Sequence, residues 1–155
     1  MITINNNMYV LDTDNTSYAF AVLGSGQLEH LYYGRKLHAN EAVTTEKHTF
    51  IPGNTNVYNK DYSSYSLEDV CLEMSSLGKG DIREPFIEVT YPNGSSTTDM
   101  VFDRAEIIQG KEEYDTLPGS YDDNGEVEQL VIYLKDRNYN LTLELHYYAV
   151  SYTHL

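Results

Sequence analysis

From Leu141 to Tyr148 the chain alternates strictly. Leu141, Leu143, Leu145 and Tyr147 fall on one side, and Thr142, Glu144, His146 and Tyr148 on the other. Successive side chains of a strand point to opposite faces, so this period of two predicts a β-strand with one buried face. Val127 to Leu134 precedes it, and Asp136-Arg137-Asn138 between the two predicts a hairpin. The same reading predicts an opening meander from Met8 to Leu11, Ser17 to Leu23 and Leu28 to Tyr33, with Tyr18, Phe20 and Val22 on one side of its middle strand. Gly24-Ser25-Gly26 supplies the tight turn between the last two. Phe86 to Tyr91 is predicted as a further strand, ended by the turn-forming Pro92-Asn93-Gly94, and Met100 to Ile108 as another.

Helix has little support: Ser66 to Met74 allows a turn or two, with Ser66 as cap and Asp69 three positions on. Fifteen tyrosines, four phenylalanines and no tryptophan reinforce the strand reading, since tyrosine favours sheets and tolerates burial with its hydroxyl wet. Short strands separated by turn chemistry predict an all-β fold, an antiparallel β-sandwich, in one domain of 155 residues. The stretch from about Glu41 to Ser76 differs. It is polar, without a sustained period, and a loop of that length is expected to be functional or mobile.

A formal net charge of −14 argues against nucleic acid and anionic membrane surfaces as partners, because both require compensating Lys and Arg. Cys71 is the single cysteine, so no internal disulfide and no thiolate metal site is expected. The start, Met1 to Asn7, lacks the basic and apolar segments of a secretion signal, and no window approaches transmembrane length. A cytoplasmic location is therefore expected, and the glycosylation patterns at Asn15, Asn93 and Asn140 are read as chance. Ser151 to Leu155 follow a well-formed strand with no turn or closing partner. Those five residues are expected to be a non-native tail, with Met1 to Val150 a β-sandwich incomplete at its C-terminal end. A reading frame that continues with native sequence after Val150 is the check.

Candidate chemistry is sparse. The histidines (His30, His38, His48, His146 and His154) show no metal-ligand spacing and read as surface or satisfied polar positions. Asp122-Asp123-Asn124-Gly125-Glu126 lacks the alternating ligands of a calcium loop and reads as an acidic turn. Asp99, Asp103 and Glu106 are expected in or beside one strand, with Asp99 and Asp103 sharing a face that suits a solvated edge as well as an acid–base pair. Tyr32-Tyr33 and Tyr147-Tyr148 are each expected to place one ring inside and one outside. The exception is the loop holding Gly78, Gly80, Asp81, Arg83 and Pro85. Glycine permits backbone angles closed to other residues, and Asp81 and Arg83, two apart, can project on the same side. Such a pair serves either as a structural lock or as part of a substrate-adjacent loop.

Several blocks resemble, together and in order, the N-terminal domain of glycoside hydrolase family 36, the bacterial and fungal α-galactosidases. Leu28-Glu29-His30-Leu31-Tyr32-Tyr33-Gly34 is similar to the family's early strand ending in aromatic-Gly, and Tyr65-Ser66 and Glu73 fit its next segment. Gly78-Lys79-Gly80-Asp81-Ile82-Arg83-Glu84-Pro85 resembles its Gly-x-Gly-Asp-aromatic-Arg-x-Pro signature. Asn93-Gly94-Ser95, Gly110-Lys111, Leu117-Pro118 and the strand Leu141 to Tyr148 continue the likeness, which runs from about Tyr9 to Val150. The chain departs at Glu68-Asp69, where the family carries Asp-Thr, at Met74-Ser75 after Glu73, where it carries Tyr-Pro, and at Ile82, where it carries an aromatic. No counterpart of the family's sugar-facing polar residues is found near Lys47 or Ser63, so no sugar contact is assigned.

The resemblance implies a supersandwich-like N-terminal part of a retaining enzyme for terminal α-galactosides such as melibiose and raffinose. Its two catalytic carboxylates lie on a (β/α)₈ barrel outside these residues. It implies no catalytic residue and no cofactor or metal in this chain. The implied partners are the barrel of the same polypeptide, further subunits of a homo-oligomer and, in that setting, the α-galactoside. The rival expectation is a free-standing carbohydrate-binding or protein-interaction β-module.

Overall fold

The computed structural model describes residues 1–38, 57–111 and 127–150. Among them seven strands form two antiparallel sheets. β1 (Ile2–Asn5), β2 (Met8–Asp12), β3 (Thr16–Val22) and β4 (Leu28–Arg35) make a meander in the order β1-β2-β3-β4. β5 (Met100–Gln109), β6 (Glu128–Asp136) and β7 (Thr142–Ala149) make the second sheet in the order β5-β6-β7. The expected antiparallel β architecture is therefore present. No helix among the described residues is long and apolar enough to cross a membrane.

The inner faces of the two sheets build one core. Tyr9, Leu11, Phe20 and Leu28 come from the first sheet, and Met100, Leu130, Ile132, Leu134 and Ala149 from the second. Aromatic rings knit the layers: Phe20 stacks on Tyr147 with centroids 5.1 Å apart, and Tyr9 meets Phe102 at 6.2 Å. Burying such side chains contributes about 1.5–3 kcal/mol each, so this seam dominates the stability of the sandwich. The alternation of residues 141–148 does place Leu143, Leu145 and Tyr147 against the core.

The turns follow their chemistry. Gly26 adopts φ 98° in the turn between β3 and β4, where its N–H donates to Leu23 O at 2.8 Å. A Cβ there would meet Val101 Cβ at 2.9 Å, so this turn packs directly on the second sheet. Main-chain and side-chain bonds complete the junction: Phe102 N–H donates to Gly26 O at 2.7 Å, and Arg137 Nη2 to Ser25 O at 2.9 Å.

The sequence reading needs four corrections. β1 was not expected; Ile2 and Ile4 pair with Leu11 and Tyr9, and Asn6 supplies the left-handed residue (φ 54°) of the turn. Phe86 to Tyr91 forms no strand. Its alternation is real, with Ile87 and Val89 half-buried and Phe86, Glu88 and Thr90 exposed, but the segment joins no ladder among the described residues. Side-chain period alone cannot supply a hydrogen-bonding neighbour. Asp99 and Asp103 do not share a face: a bulge at Asp103 shifts the β5–β6 register between Phe102 and Arg104, leaving Asp99 buried and Asp103 in solvent beside Arg104. Tyr32-Tyr33 has no core ring, because β4 is irregular at Leu31 and its far end is exposed, whereas Tyr147-Tyr148 follows the expected split.

Among the described residues between the sheets, 57–99, a 3₁₀ turn covers Leu67–Asp69, and single β-bridges join Leu72 to Glu29 and Asn59 to Tyr62. Ser66 precedes it with Oγ 3.3 Å from Asp69 Oδ2, but makes no side-chain bond to the backbone of the turn. The predicted acidic turn at 122–126, the tail at 151–155, Lys47, Leu117-Pro118, His48 and His154 lie outside the described residues.

Candidate functional site

Two clusters of buried polar groups lie on the segment that joins the sheets. In the first, the glycine-bracketed loop, Gly78 and Gly80 hold φ 86° and 85°, the left-handed region that disfavours side chains. Gly78 is also crowded: a Cβ would lie 2.8 Å from Thr97 Oγ1 and Cγ2. The loop then delivers Asp81 inward, with its carboxylate fully shielded from solvent.

Arg83 folds back on that carboxylate in a two-pronged pair. Nε donates to Asp81 Oδ1 at 2.8 Å and Nη2 to Oδ2 at 3.0 Å. The backbone N–H of Arg83 adds a third bond to Oδ1 at 3.1 Å, and Nη2 also reaches Leu67 O at 2.8 Å. Bonding to Asp81 holds the guanidinium above its ordinary pKa, outweighing burial. Ser75 Oγ donates to Glu84 O at 2.6 Å, Phe86 N–H to Ser75 O at 3.2 Å, and Thr98 N–H to Leu77 O at 3.1 Å. Lys79 is drawn in as well, its Nζ 3.2 Å from Asp99 Oδ2; Asp99 Oδ1 accepts from Tyr58 at 2.9 Å.

The expectation that Asp81 and Arg83 project together is met, and their functional groups face each other within the loop. Of the residues singled out in the sequence, Gly78, Gly80, Asp81, Arg83 and Pro85 all belong to this one anchored turn. Beside the exposed Glu84 it turns two large apolar side chains outward: Ile82 is 86% exposed and Phe86 64%.

The second cluster surrounds Glu73, which sequence reasoning noticed only as part of a resemblance. Residues 71–73 run along the edge of β4, with His30 N–H donating to Cys71 O at 2.7 Å and Glu73 N–H to Leu28 O at 3.0 Å. That alignment drives the Glu73 side chain between the sheets, where it is 4% exposed. Its carboxylate accepts from Tyr18 Oη on β3 at 2.6 and 2.7 Å, and from Tyr147 Oη on β7 at 2.9 Å. His30 Nδ1 on β4 lies 2.8 Å away. Burial first, and the neighbouring carboxylate second, push the Tyr18 hydroxyl well above the ordinary tyrosine range. Tyr147 is pushed up by burial and then by the charge of Glu73. These hydroxyls therefore stay protonated as donors. Partners 43, 55 and 74 positions away leave no local signal in the sequence.

Neither cluster supplies a free acid, base or nucleophile. Each carboxylate is engaged by donors from the chain itself, and general catalysis requires a group within reach of a substrate proton. His30 and His146 are satisfied as expected, the latter 2.8 Å from Gln129 Nε2 and 3.2 Å from Glu144 Oε2. Among the described residues, no group of three or more His, Cys, Asp or Glu is placed to hold a metal ion.

Residues 26–154 match the family described as the glycosyl hydrolase family 36 N-terminal domain. The bifunctional α-galactosidase/sucrose kinase AgaSK of Mediterraneibacter gnavus is 33% identical over 144 residues, which is 92% of this chain and 15% of that protein. The α-galactosidase AgaA of Geobacillus stearothermophilus is 31% identical, over 90% of this chain and 19% of its own length. Among solved structures, the α-galactosidase from Lactobacillus brevis superposes with a TM-score of 0.82 at 31% identity, over 94% of this chain and 20% of that one. The chain thus spans a fifth or less of the length of the curated relatives it matches. With two antiparallel sheets, the joining segment and the anchored 78–85 loop accounted for together, this chain belongs to the N-terminal domain family of glycosyl hydrolase family 36.

Proposed function

We propose that this chain is the leading, non-catalytic part of an α-galactosidase acting on terminal α-galactosides of the melibiose and raffinose type. The observation that carries this reading is the match to α-galactosidases along nine-tenths of this chain but only 15–20% of theirs. Its polar clusters engage their own carboxylates, which suits a scaffold better than a reaction centre. The two carboxylates of a retaining mechanism would then come from the remainder of the polypeptide. The role of this part is to pack on that remainder and to support assembly of a homo-oligomer, with the Gly78, Gly80, Asp81, Arg83 and Pro85 loop acting as a structural lock.

The test is turnover of a chromogenic α-galactoside. The full-length polypeptide carrying this domain is expected to release the chromophore, and the 155-residue chain to release none. A full-length polypeptide inactive on every α-galactoside, or turnover by the short chain alone, would overturn the proposal. Light scattering of the full-length protein checks assembly, and a strictly monomeric species removes that part of the role.

A further inference from the structure

We infer that the outward face of the 77–86 loop is a docking surface, and that its occupant is the catalytic remainder of the same polypeptide; this rests on the function proposed above. Leu77, Ile82 and Phe86 lie within ten residues of one another, and all three are exposed, Leu77 least. Single exposed apolar residues are ordinary, but three on one short loop mark a surface that another apolar surface covers.

The loop is also held still. Asp81 and Arg83 lock its centre, Ser75 bonds both Glu84 O and Phe86 N–H, and Thr98 bonds Leu77 O. Those bonds engage the loop's backbone and the Asp81 carboxylate, and they leave Leu77, Ile82 and Phe86 exposed alongside Glu84. A surface fixed before contact loses little conformational entropy on binding, the property expected of an interface anchor. Beyond Phe86, residues 87–90 have no ladder partner among the described residues.

Charge selects between possible occupants. Glu84 and Glu88, two positions either side of Phe86, are both exposed, and the nearby Arg83 is already paired with Asp81. A second copy of this chain, with a formal net charge of −14, would bring acid against acid across a self-complementary contact. The relatives are at least five times the length of the matched segment, so a covalently attached remainder is always at hand at high effective concentration. The surface on that remainder is expected to present an apolar pocket with Lys or Arg at its rim.

Hydroxyl-radical footprinting of the full-length polypeptide, read by mass spectrometry, tests this directly. Tyr33, exposed on β4, serves as the internal reference. Phe86 and Ile82 are expected to be oxidised at least tenfold more slowly, relative to their intrinsic reactivities, than Tyr33, and to remain so on dilution to single polypeptides. Labelling as fast as Tyr33 would overturn the inference. Protection lost on dilution would assign the surface to a second copy and overturn it too. A paired Ile82→Asp/Phe86→Asp variant is expected to split one thermal transition into two, while Ile4→Asp on β1 leaves one; a single transition in both counts against the inference. Turnover measured on the same samples separates the outcomes: an inactive but protected polypeptide sinks the function, and an active but unprotected one sinks the docking surface.

Discussion

Glu73 and Asp81 lie eight positions apart and are both nearly sealed from water, yet they are held by opposite means. Asp81 is neutralised by a guanidinium two residues away, so its loop is locked almost wholly by its own atoms. Glu73 has no such neighbour. It gathers a tyrosine from each sheet and a histidine from β4, and is satisfied only once the sandwich has closed. The contrast separates a device that fixes one turn from a device that fixes how two layers meet. A buried carboxylate is costly without partners, so each is a point where the fold fails if the partners are removed.

Glu73→Ala is expected to have the largest effect, destabilising by about 4 kcal/mol in urea unfolding, because it strands donors from three strands at once. Arg83→Ala should cost about 3 kcal/mol by leaving Asp81 charged and unpaired. The comparison sharpens in the double variants. Adding Asp81→Asn to Arg83→Ala is expected to recover part of the loss, since it removes the stranded charge. Adding Tyr18→Phe to Glu73→Ala should recover less, because Tyr147 and His30 remain without their acceptor. Equal recovery in the two pairs would erase the distinction drawn between them.

Alkaline pH probes the same junction. Tyr18 and Tyr147 titrate above the ordinary value of 10.0 in the folded protein, so above that pH the unfolded chain releases protons that the folded one keeps. Stability is therefore complete below pH 10 and falls as pH rises beyond it, by up to about 1.4 kcal/mol per unit for Tyr147 and by less for Tyr18, which solvent screens. Tyr147→Phe is expected to flatten that slope in unfolding measured from pH 9 to 11, whereas Arg83→Ala leaves it intact.

Asp136 gives a smaller effect of opposite sign. Burial alone would raise its pKa, but the N–H groups of Asp99, Asn138 and Tyr139 and the Tyr91 hydroxyl outweigh that and hold it below 3.8. Its contribution is present above the unfolded value and is lost as pH falls through the folded one. Asp136→Asn should cost about 1–2 kcal/mol at neutral pH and reduce the acid dependence below pH 4. The smallest contrast concerns the glycines. Gly94→Ala meets open space and should cost only about 1 kcal/mol for its φ of 82°. Gly78→Ala should exceed it, because Thr97 must also move.

What was readable in the sequence follows the same division between near and far. Period-two alternation located β2 to β7, and the loop signature was found because its partners are two residues apart. β1 carries little signal although Ile2 and Ile4 alternate before three asparagines, since that run is short and the turn residue Asn6 is not glycine. The Glu73 junction carries no local signal, its donors being scattered across three strands. Phe86 to Tyr91 shows the converse: a correct pattern of inward and outward residues, but pairing depends on what lies alongside, and alternation carries no information about that.

The turn at Ser25-Gly26 is bonded to Phe102 and Arg137, which bears on how the chain is made. A ribosome adding about 5–20 residues per second needs several seconds to travel from the first sheet to the second. Throughout that interval Tyr9 and Phe20 lack their lid and the carbonyls of the turn lack their donors. The nascent chain must therefore carry an uncovered aromatic sheet out of the exit tunnel, and slowing translation between codons 38 and 100 is expected to lengthen its dependence on chaperones.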